Sequence, residues 1–248
     1  MKSGFRIYDT HTHIGTAVHS GQTYTASDLL RDMDRAGVDR ALAIPFPVVE
    51  DHRAAHDEIG RAVLAHPDRL AGAAYLPAFL AEARFREEVR RCVEQYGFRA
   101  LKLQPQYQPV NVFFSRSDYI FETALEHGLT VVCHTGSGVP LSLPSLFMMP
   151  ARKFPGLKLV LAHCGGTLLA LEAVVAASFC PNIYLELSSI LPHQVLTVLA
   201  HVEPSRLMIG SDLPENLDAE IGKILELSVP AETRAAILWD TACRVFNP

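Results

Sequence analysis

The chain has little excess charge and no long apolar run. Its 22 Lys and Arg stand against 27 Asp and Glu, a net charge of −5, and the basic residues are scattered singly or in short pairs. Nucleic-acid binding requires a basic stripe, so that class is excluded. Nothing reaches the roughly 18–20 apolar residues of a membrane span. The longest candidate, Leu168 to Phe179, is Ala-rich, carries Glu172 and reads as a buried-face helix. The five cysteines (Cys92, Cys133, Cys164, Cys180, Cys243) are an odd set without a Cys-x-x-Cys pair. Reduced, buried thiols in a cytoplasmic protein are expected, not a disulfide framework. Met1-Lys2-Ser3-Gly4 leads straight into a strand pattern, so no signal peptide is expected. Also missing are a Gly-x-Gly-x-x-Gly fingerprint after any strand and a Gly-x-Ser-x-Gly context around Ser211. The first absence argues against a doubly wound dinucleotide-binding sheet, the second against a serine nucleophile. No Gly-, Ser- or Pro-rich linker divides the 248 residues, and one domain over 1–248 is expected.

What is present is an alternation of short apolar strands with longer amphipathic stretches. The strand patterns are Phe5–Asp9, Arg40–Pro45, Leu70–Leu76, Ala100–Gln104, Thr130–His134, Lys158–His163, Ile183–Ser188 and Leu207–Ser211. Helical patterns lie between them. Ser27 is expected to cap the first, which runs to Ala36 and stops at Gly37. Others cover Glu50–Ala65, Ala81–Gln95, Asp118–Glu126, Leu143–Lys153, Thr167–Ala177, Pro192–His201 and Asp218–Leu227, and Pro230 opens a last helix over Ala231–Phe246. Eight strand–helix units in series predict a (β/α)8 TIM barrel with an extra C-terminal helix.

In such a barrel all strand C-termini meet at one rim, where active sites are built. His11-Thr12-His13 follows the first strand, and residues two apart on a strand project to the same side. Two imidazoles so placed suit a borderline-soft divalent metal. The fifth strand ends in His134, the sixth in His163-Cys164-Gly165-Gly166 and the eighth in Gly210-Ser211-Asp212. Each alone is an ordinary rim or turn residue. Their recurrence at matching places in the repeat points to a shared site.

These residues resemble the amidohydrolase superfamily, in the branch that holds amidohydrolase-related barrels and aminocarboxymuconate-semialdehyde-decarboxylase-like enzymes. The matching stretches are Asp9-Thr10-His11-Thr12-His13-Ile14-Gly15, His134, His163-Cys164-Gly165-Gly166 and Gly210-Ser211-Asp212-Leu213-Pro214, with His66-Pro67-Asp68-Arg69 and Ala242-Cys243-Arg244-Val245-Phe246 as softer matches. The resemblance implies a mononuclear site held by His11, His13, His134 and Asp212, with His163 beside the ion. The expected ion is zinc, with manganese, iron or cobalt also compatible with these donors. Asp212 would act as proton shuttle and His163 would polarise a substrate carbonyl. Lys102, in Leu101-Lys102-Leu103-Gln104, points to the rim or interior. It is expected to be unmodified and to bind substrate; the alternatives are a carboxylated bridge between two metals and a salt bridge to Asp212 or Glu186. In the family's C-terminal motif Thr241 and Trp239 replace the usual residues, which puts the local helix packing in question.

Gln104 and Tyr24 complete the expected substrate contacts. Tyr24 lies with His19 and Gln22 in the Thr16–Tyr24 segment, a candidate lid. Phe147, Met148 and Met149 are candidates for a pocket wall or an oligomer contact. His52, His56, His66, His127, His193 and His201 are expected to face solvent or cap carbonyls. The expected activity is metal-dependent hydrolysis of a small amide, lactone or ester through an activated water. The alternative is metal-dependent non-oxidative decarboxylation of a small carboxylic acid, aromatic acids included, and the chain's shortness favours hydrolysis. A metal-dependent deoxyribonuclease would want a glutamate where Lys102 stands, and a silent binding protein would not need an intact ligand set. The expected partner is a small-molecule substrate, with neither nucleic acid nor membrane; a homo-oligomer is left open.

Overall fold

The computed structural model describes residues 1–18, 20–77 and 79–246. Its strands are β1 Tyr8–Thr16, β2 Thr23–Tyr24, β3 Arg40–Pro45, β4 Leu70–Tyr75, β5 Ala100–Leu103, β6 Thr130–His134, β7 Leu159–Ala162, β8 Ile183–Glu186 and β9 Leu207–Met208. Strands β1 and β3 to β9 pair in parallel in chain order, while β2 folds back antiparallel on β1. The ring closes where the chain's first and last strands meet. Thr10 N–H donates to Ile209 O at 3.0 Å, Ser211 N–H donates to His11 O at 3.1 Å, and Thr12 bridges Asp212. The architecture is the TIM barrel that the alternation predicts.

The helices are α1 Ala26–Ala36, α2 His52–Ala65, α3 Glu82–Tyr96, α4 Asp118–Glu126, α5 Met148–Lys153, α6 Gly166–Phe179, α7 Pro192–Leu199, α8 Leu217–Leu225, α9 Ala231–Ala235 and α10 Thr241–Phe246. None of the described helices is long and apolar enough to cross a membrane.

Strand alternation separates two layers of core. Leu42 and Ile44, Val132, and Val160 and Ala162 join the cluster inside the barrel. Their neighbours Ala41 and Ala43, Val131 and Cys133, and Leu159 and Leu161 pack outward in the larger cluster that includes helix residues. Val245 and Phe246 of α10 belong to the inner cluster with Tyr8 and Met208. The same alternation that turns Val132 inward also turns Lys102 and His134 inward, toward the polar residues at the strands' C-terminal ends.

Four local expectations change. The first strand begins at Tyr8 rather than Phe5 and extends to Thr16, so the histidine pair lies inside it, His11 within an irregularity between Asp9 and Thr12 and His13 just past it. Thr25, not Ser27, caps α1. Its hydroxyl accepts from Asp28 N–H at 3.1 Å and the Asp28 carboxylate accepts from Thr25 N–H at 3.0 Å, a reciprocal pair that Ser27 cannot make from inside the helix. Gly37 ends α1 in the left-handed region, φ 77°, as its position predicts.

The last helix is not continuous: a π-helical turn at Ala236–Asp240 separates α9 from α10. The wider turn lets consecutive residues face inward. Ile237 and Leu238 enter the outer core, while Trp239 packs 5.9 Å from the Tyr8 ring beneath the Arg6 guanidinium at 3.6 Å. Thr241 is buried, with its hydroxyl donating to Pro204 O. The unusual residues of this motif are thus absorbed by packing. His56, expected at the surface, is fully buried and donates through Nδ1 to Glu88 Oε1 at 2.8 Å.

Candidate metal centre

Two imidazoles of β1 are oriented from behind by acceptors. His11 Nδ1 donates to Glu186 Oε2 at 3.1 Å, and His13 Nδ1 donates to the Pro45 carbonyl at 2.9 Å. A carboxylate and a carbonyl only accept, so each ring keeps its proton on Nδ1 and turns the Nε2 lone pair inward. Both Nε2 atoms lie 3.4 Å from Asp212 Oδ1. Ligand atoms of His11, His13 and Asp212 fall within 4.8 Å of one another. Two imidazole nitrogens and a carboxylate oxygen form a donor set that fits a divalent transition ion, with each histidine braced by an outer partner.

Asp212 stands just past β9 with φ 63°, a left-handed backbone unusual for a residue with a side chain. Burial works to raise its pKa, but the adjoining His13, His11 and His163 pull the carboxyl far below the usual range. His163 and Cys164 follow β7 with φ 65° and 46°. Two strained residues in succession turn the His163 ring over the barrel mouth. Its Nδ1 donates to Ser188 Oγ at 2.8 Å, and that hydroxyl donates to Glu186 Oε2 at 2.9 Å. His163 Nε2 therefore carries a lone pair, 4.0 Å from Asp212 Oδ1. Burial lowers the pKa of His163, and burial with the Lys102 charge lowers that of His11 to about 3. Both shifts favour the neutral imidazole.

Glu186 is the hub of this arrangement. It is fully buried and also accepts from His163 N–H at 3.0 Å. Burial acts to raise its pKa, but the His11 hydrogen bond and the neighbouring histidines bring it down to about 2. Gly210 makes room for it: a Cβ there would lie 2.6 Å from His11 Cβ and 2.8 Å from Glu186 Cδ. Asp9 supports the other side, accepting from His11 N–H, Ser211 N–H and the Ser211 hydroxyl at 3.1, 3.0 and 2.6 Å. Neither Asp9 nor the Glu186–Ser188 pair is among the expected site residues. The available signal was a glutamate ending a strand that is otherwise apolar, followed two residues on by serine.

The remaining expected residues divide. Lys102 is buried, and its ammonium donates to His11 Nε2 at 2.6 Å. Burial lowers its pKa to about 8, against the pull of Asp212 and Glu186. Gln104 reaches the same cavity, and its Oε1 is buried without a hydrogen-bond partner. His134 also lines the cavity, its ring 4.8 Å from that of His163, but its Nε2 is engaged by the Ser137 carbonyl at 2.9 Å. It lies outside the cluster formed by His11, His13 and Asp212. Burial, then His163 and Lys102, lower its pKa to about 2.

Tyr24 does not join the site. Alternation on the two-residue β2 buries it against α1, where its hydroxyl donates to Asp32 at 2.9 Å. Gln22 of the same segment does line the cavity, and His19 lies outside the described residues. Phe147 is buried in the outer core and Met149 is exposed; neither they nor Met148 line the cavity. The cavity holds about 340 Å³, and Phe46 and Tyr107 contribute its aromatic walls. Phe46 stacks on His13 at 5.4 Å with 22° between the planes. Cys133 and Cys164 are buried thiols whose pKa is raised by burial, which fits packing rather than nucleophilic roles.

The family model for amidohydrolases matches residues 8–247. The chain belongs to this amidohydrolase family. No curated protein matches it in sequence. Among solved structures, it is similar to the 5-carboxyvanillate decarboxylase of Novosphingobium aromaticivorans complexed with manganese and 4-hydroxy-3-methoxy-5-nitrobenzoic acid, with TM-score 0.80, 15% identity, and 100% of this chain and 97% of that chain covered. It is also similar to the 5-carboxyvanillate decarboxylase of Sphingomonas paucimobilis (TM-score 0.75, 16% identity, 98% and 99% covered) and to the 4-oxalomesaconate hydratase of Rhodopseudomonas palustris (TM-score 0.75, 18% identity, 97% and 95% covered). At these identities the likeness shows the fold. Because the match covers nearly all of each decarboxylase chain, length gives no ground for preferring hydrolysis.

Proposed function

We propose that this amidohydrolase-family protein binds one divalent transition metal and removes carbon dioxide, without oxidation, from a small planar carboxylic acid. His11, His13 and Asp212 would hold the ion, and His134 would join them by giving up its bond to the Ser137 carbonyl. Zinc suits the two or three nitrogen donors, and manganese, iron or cobalt are compatible with the same set.

The observation that carries this reading is the pairing of Lys102 with Gln104 at one cavity. A buried ammonium calls for an anion, and a buried, unpartnered amide oxygen calls for a donor. A hydroxylated aromatic acid supplies both. One ring fits the approximately 340 Å³ cavity between Phe46 and Tyr107. One lone pair on His11 Nε2 cannot serve both an ion and Lys102, so a bound ion releases the lysine to the substrate carboxylate. That is the unmodified role expected for it. The decarboxylase neighbours, one of them holding manganese and a substituted benzoic acid, lend support.

In this reaction the bond between ring carbon and carboxyl carbon breaks, carbon dioxide departs and the ring carbon gains a proton. An ion at the site would polarise the substrate oxygens as a Lewis acid. Lys102 fixes the carboxylate, Gln104 accepts from the hydroxyl, and Phe46 and Tyr107 hold the ring plane. His163, its tautomer set by Ser188, would take a proton from solvent at Nε2 and deliver it to the ring carbon as carbon dioxide leaves, returning to the neutral imidazole. The unbonded buried thiols suit a reducing compartment such as the cytoplasm.

Hydrolysis of an amide, lactone or ester is the second reading. It is favoured by the position of the Asp212 carboxylate, 3.4 Å from both β1 imidazoles, where it would accept the proton of an activated water. The test is to incubate metal-loaded protein with ortho-hydroxylated benzoic acids and measure released carbon dioxide. Turnover that disappears in Lys102→Met is expected. Cleavage of lactones or amides with no carbon dioxide from any acid would replace this reading with the hydrolytic one.

A further inference from the structure

Three acids stand where the chain passes from β9 into α8: Glu215, Asp218 and Glu220. Two are paired within the fold. Asp218 accepts from Lys2 at 3.2 Å and from Arg35. Glu220 accepts from Ser189 N–H at 2.9 Å and pairs with Lys223. Glu215 has neither a hydrogen bond nor an ion pair among the described residues, and it alone of the three lines the barrel-mouth cavity.

The turn that carries Glu215 is tied to the segment that supplies Asp212. Leu213 N–H donates to Ser211 O at 2.8 Å, Asn216 N–H donates to Leu213 O at 3.0 Å, and Pro214 restricts the backbone between them. In the closed ring of parallel strands β5 and β9 stand opposite each other, four places apart either way round. Lys102 therefore reaches the cavity from one wall and Glu215 from the other. They also differ in depth, for Lys102 is 1% exposed and Glu215 sits exposed at the rim. With Asp212 assigned to the ion, no other Lys, Arg, Asp or Glu is among the described residues of the lining. Ser20 and Gln22, also exposed on the lining, add only neutral polar groups.

We infer that Glu215 selects the substrate by its far end, accepting from an amino or hydroxyl group there and turning away a second carboxylate. The inference rests on the decarboxylase reading, which places the substrate's reacting carboxylate at Lys102. A ring held by that carboxylate at the cavity floor points its para substituent toward the rim. There a donor makes a charge-assisted hydrogen bond with a carboxylate that has no partner in the protein. A second carboxylate meets a like charge instead, and a repulsive contact of this kind sets specificity as firmly as an attractive one. An acid near the start of a helix also favours the helix dipole, but Asp218 and Glu220 already fill the first turn of α8.

The test is titration calorimetry of metal-loaded protein with salicylic acid and its derivatives bearing an amino or a carboxyl group para to the acid. Released carbon dioxide is measured alongside. Wild type is expected to bind the para-amino acid about 10-fold more tightly than salicylic acid, and the para-carboxyl acid about 10-fold more weakly. Glu215→Gln should compress that span of about 100-fold to less than about 5-fold, and Glu215→Lys should reverse the order. Both variants should unfold at the wild-type temperature, since Glu215 has no partner to lose. Equal affinities of wild type for the three acids, or an unchanged span in Glu215→Gln, would overturn the inference. Carbon dioxide released from salicylic acid beside that result would leave the decarboxylase reading standing. An order that depends on Glu215, with no carbon dioxide from any of the acids, would uphold the selection and remove that reading. Failure of all three acids to bind would overturn both.

Discussion

His11 Nδ1 and Glu186 Oε2 lie 3.1 Å apart, and the same carboxylate oxygen takes the Ser188 hydroxyl that holds His163. One buried charge thus orients two imidazoles from opposite sides of the barrel mouth. Glu186→Gln preserves shape but places an amide NH2 where only acceptors fit. Metal affinity is expected to fall about 10–100-fold, the usual cost of losing an outer partner of a ligating histidine. Stability should drop by about 1–3 kcal/mol from donors left unpaired. Competitive titration with a metal indicator reads the first and urea unfolding the second. Wild-type affinity in the variant would remove Glu186 from the metal's support.

Ion binding itself is tested by His11→Ala. Purified wild type should carry about one equivalent of a transition metal by elemental analysis, as expected for a site with an open position. The variant should lose most of it and keep its far-ultraviolet circular dichroism. Two equivalents, with added mass on Lys102, would point instead to a bridged pair of ions.

Ser188→Ala separates orientation from binding. Ser188 does not face the ion cluster, so metal content should be unchanged. His163 would lose the acceptor that keeps its proton on Nδ1, and its ring nitrogens should shift toward a mixture of tautomers in nitrogen-15 spectra. A spectrum identical to wild type would show that the backbone kink alone sets the ring.

Away from the site, Glu88 gives a pH signature. It accepts from His56 at 2.8 Å and from Arg91 at 2.6 and 2.9 Å. Burial acts to raise its pKa, yet the hydrogen bonds and charges of His56 and Arg91 prevail and lower it from 4.5 to about 2. A depressed carboxyl contributes its full stability above the unfolded value and loses it as pH falls through the folded one. Glu88→Gln should cost about 3 kcal/mol at pH 7. The gap from wild type should narrow below pH about 4.5 and nearly close near pH 2. A gap of constant size across that window would rule out the charge as its source.

The barrel and the convergence of His11, His13 and Asp212 on one spot are legible in the sequence because they follow from periodicity. Apolar strands recurring between amphipathic helices fix the architecture, and strand-end position brings His11, His13 and Asp212 together. Less visible were features set by contacts between distant segments. Glu186 and Asp9 look like ordinary strand-end acids until the ring closes around them. Tyr24 sits in a loop that the sequence points toward substrate, but a two-residue strand decides its face. Thr25 displaced Ser27 because only Thr25 can exchange bonds with Asp28. His134 has the right place on the rim, while the direction of its ring depends on the Ser137 carbonyl, which no spacing reveals.

Barrel closure has a consequence for biosynthesis. Asp9 and Ser211, which lock the seam beside the ligands, are 202 positions apart. During translation the two β1 imidazoles emerge about 10–40 s before Asp212, the third donor of the candidate site. Through that interval a nascent chain has only a weak hold on any ion. Tight capture of an ion would therefore require that synthesis has passed Asp212 and that β1 has met the segment after β9.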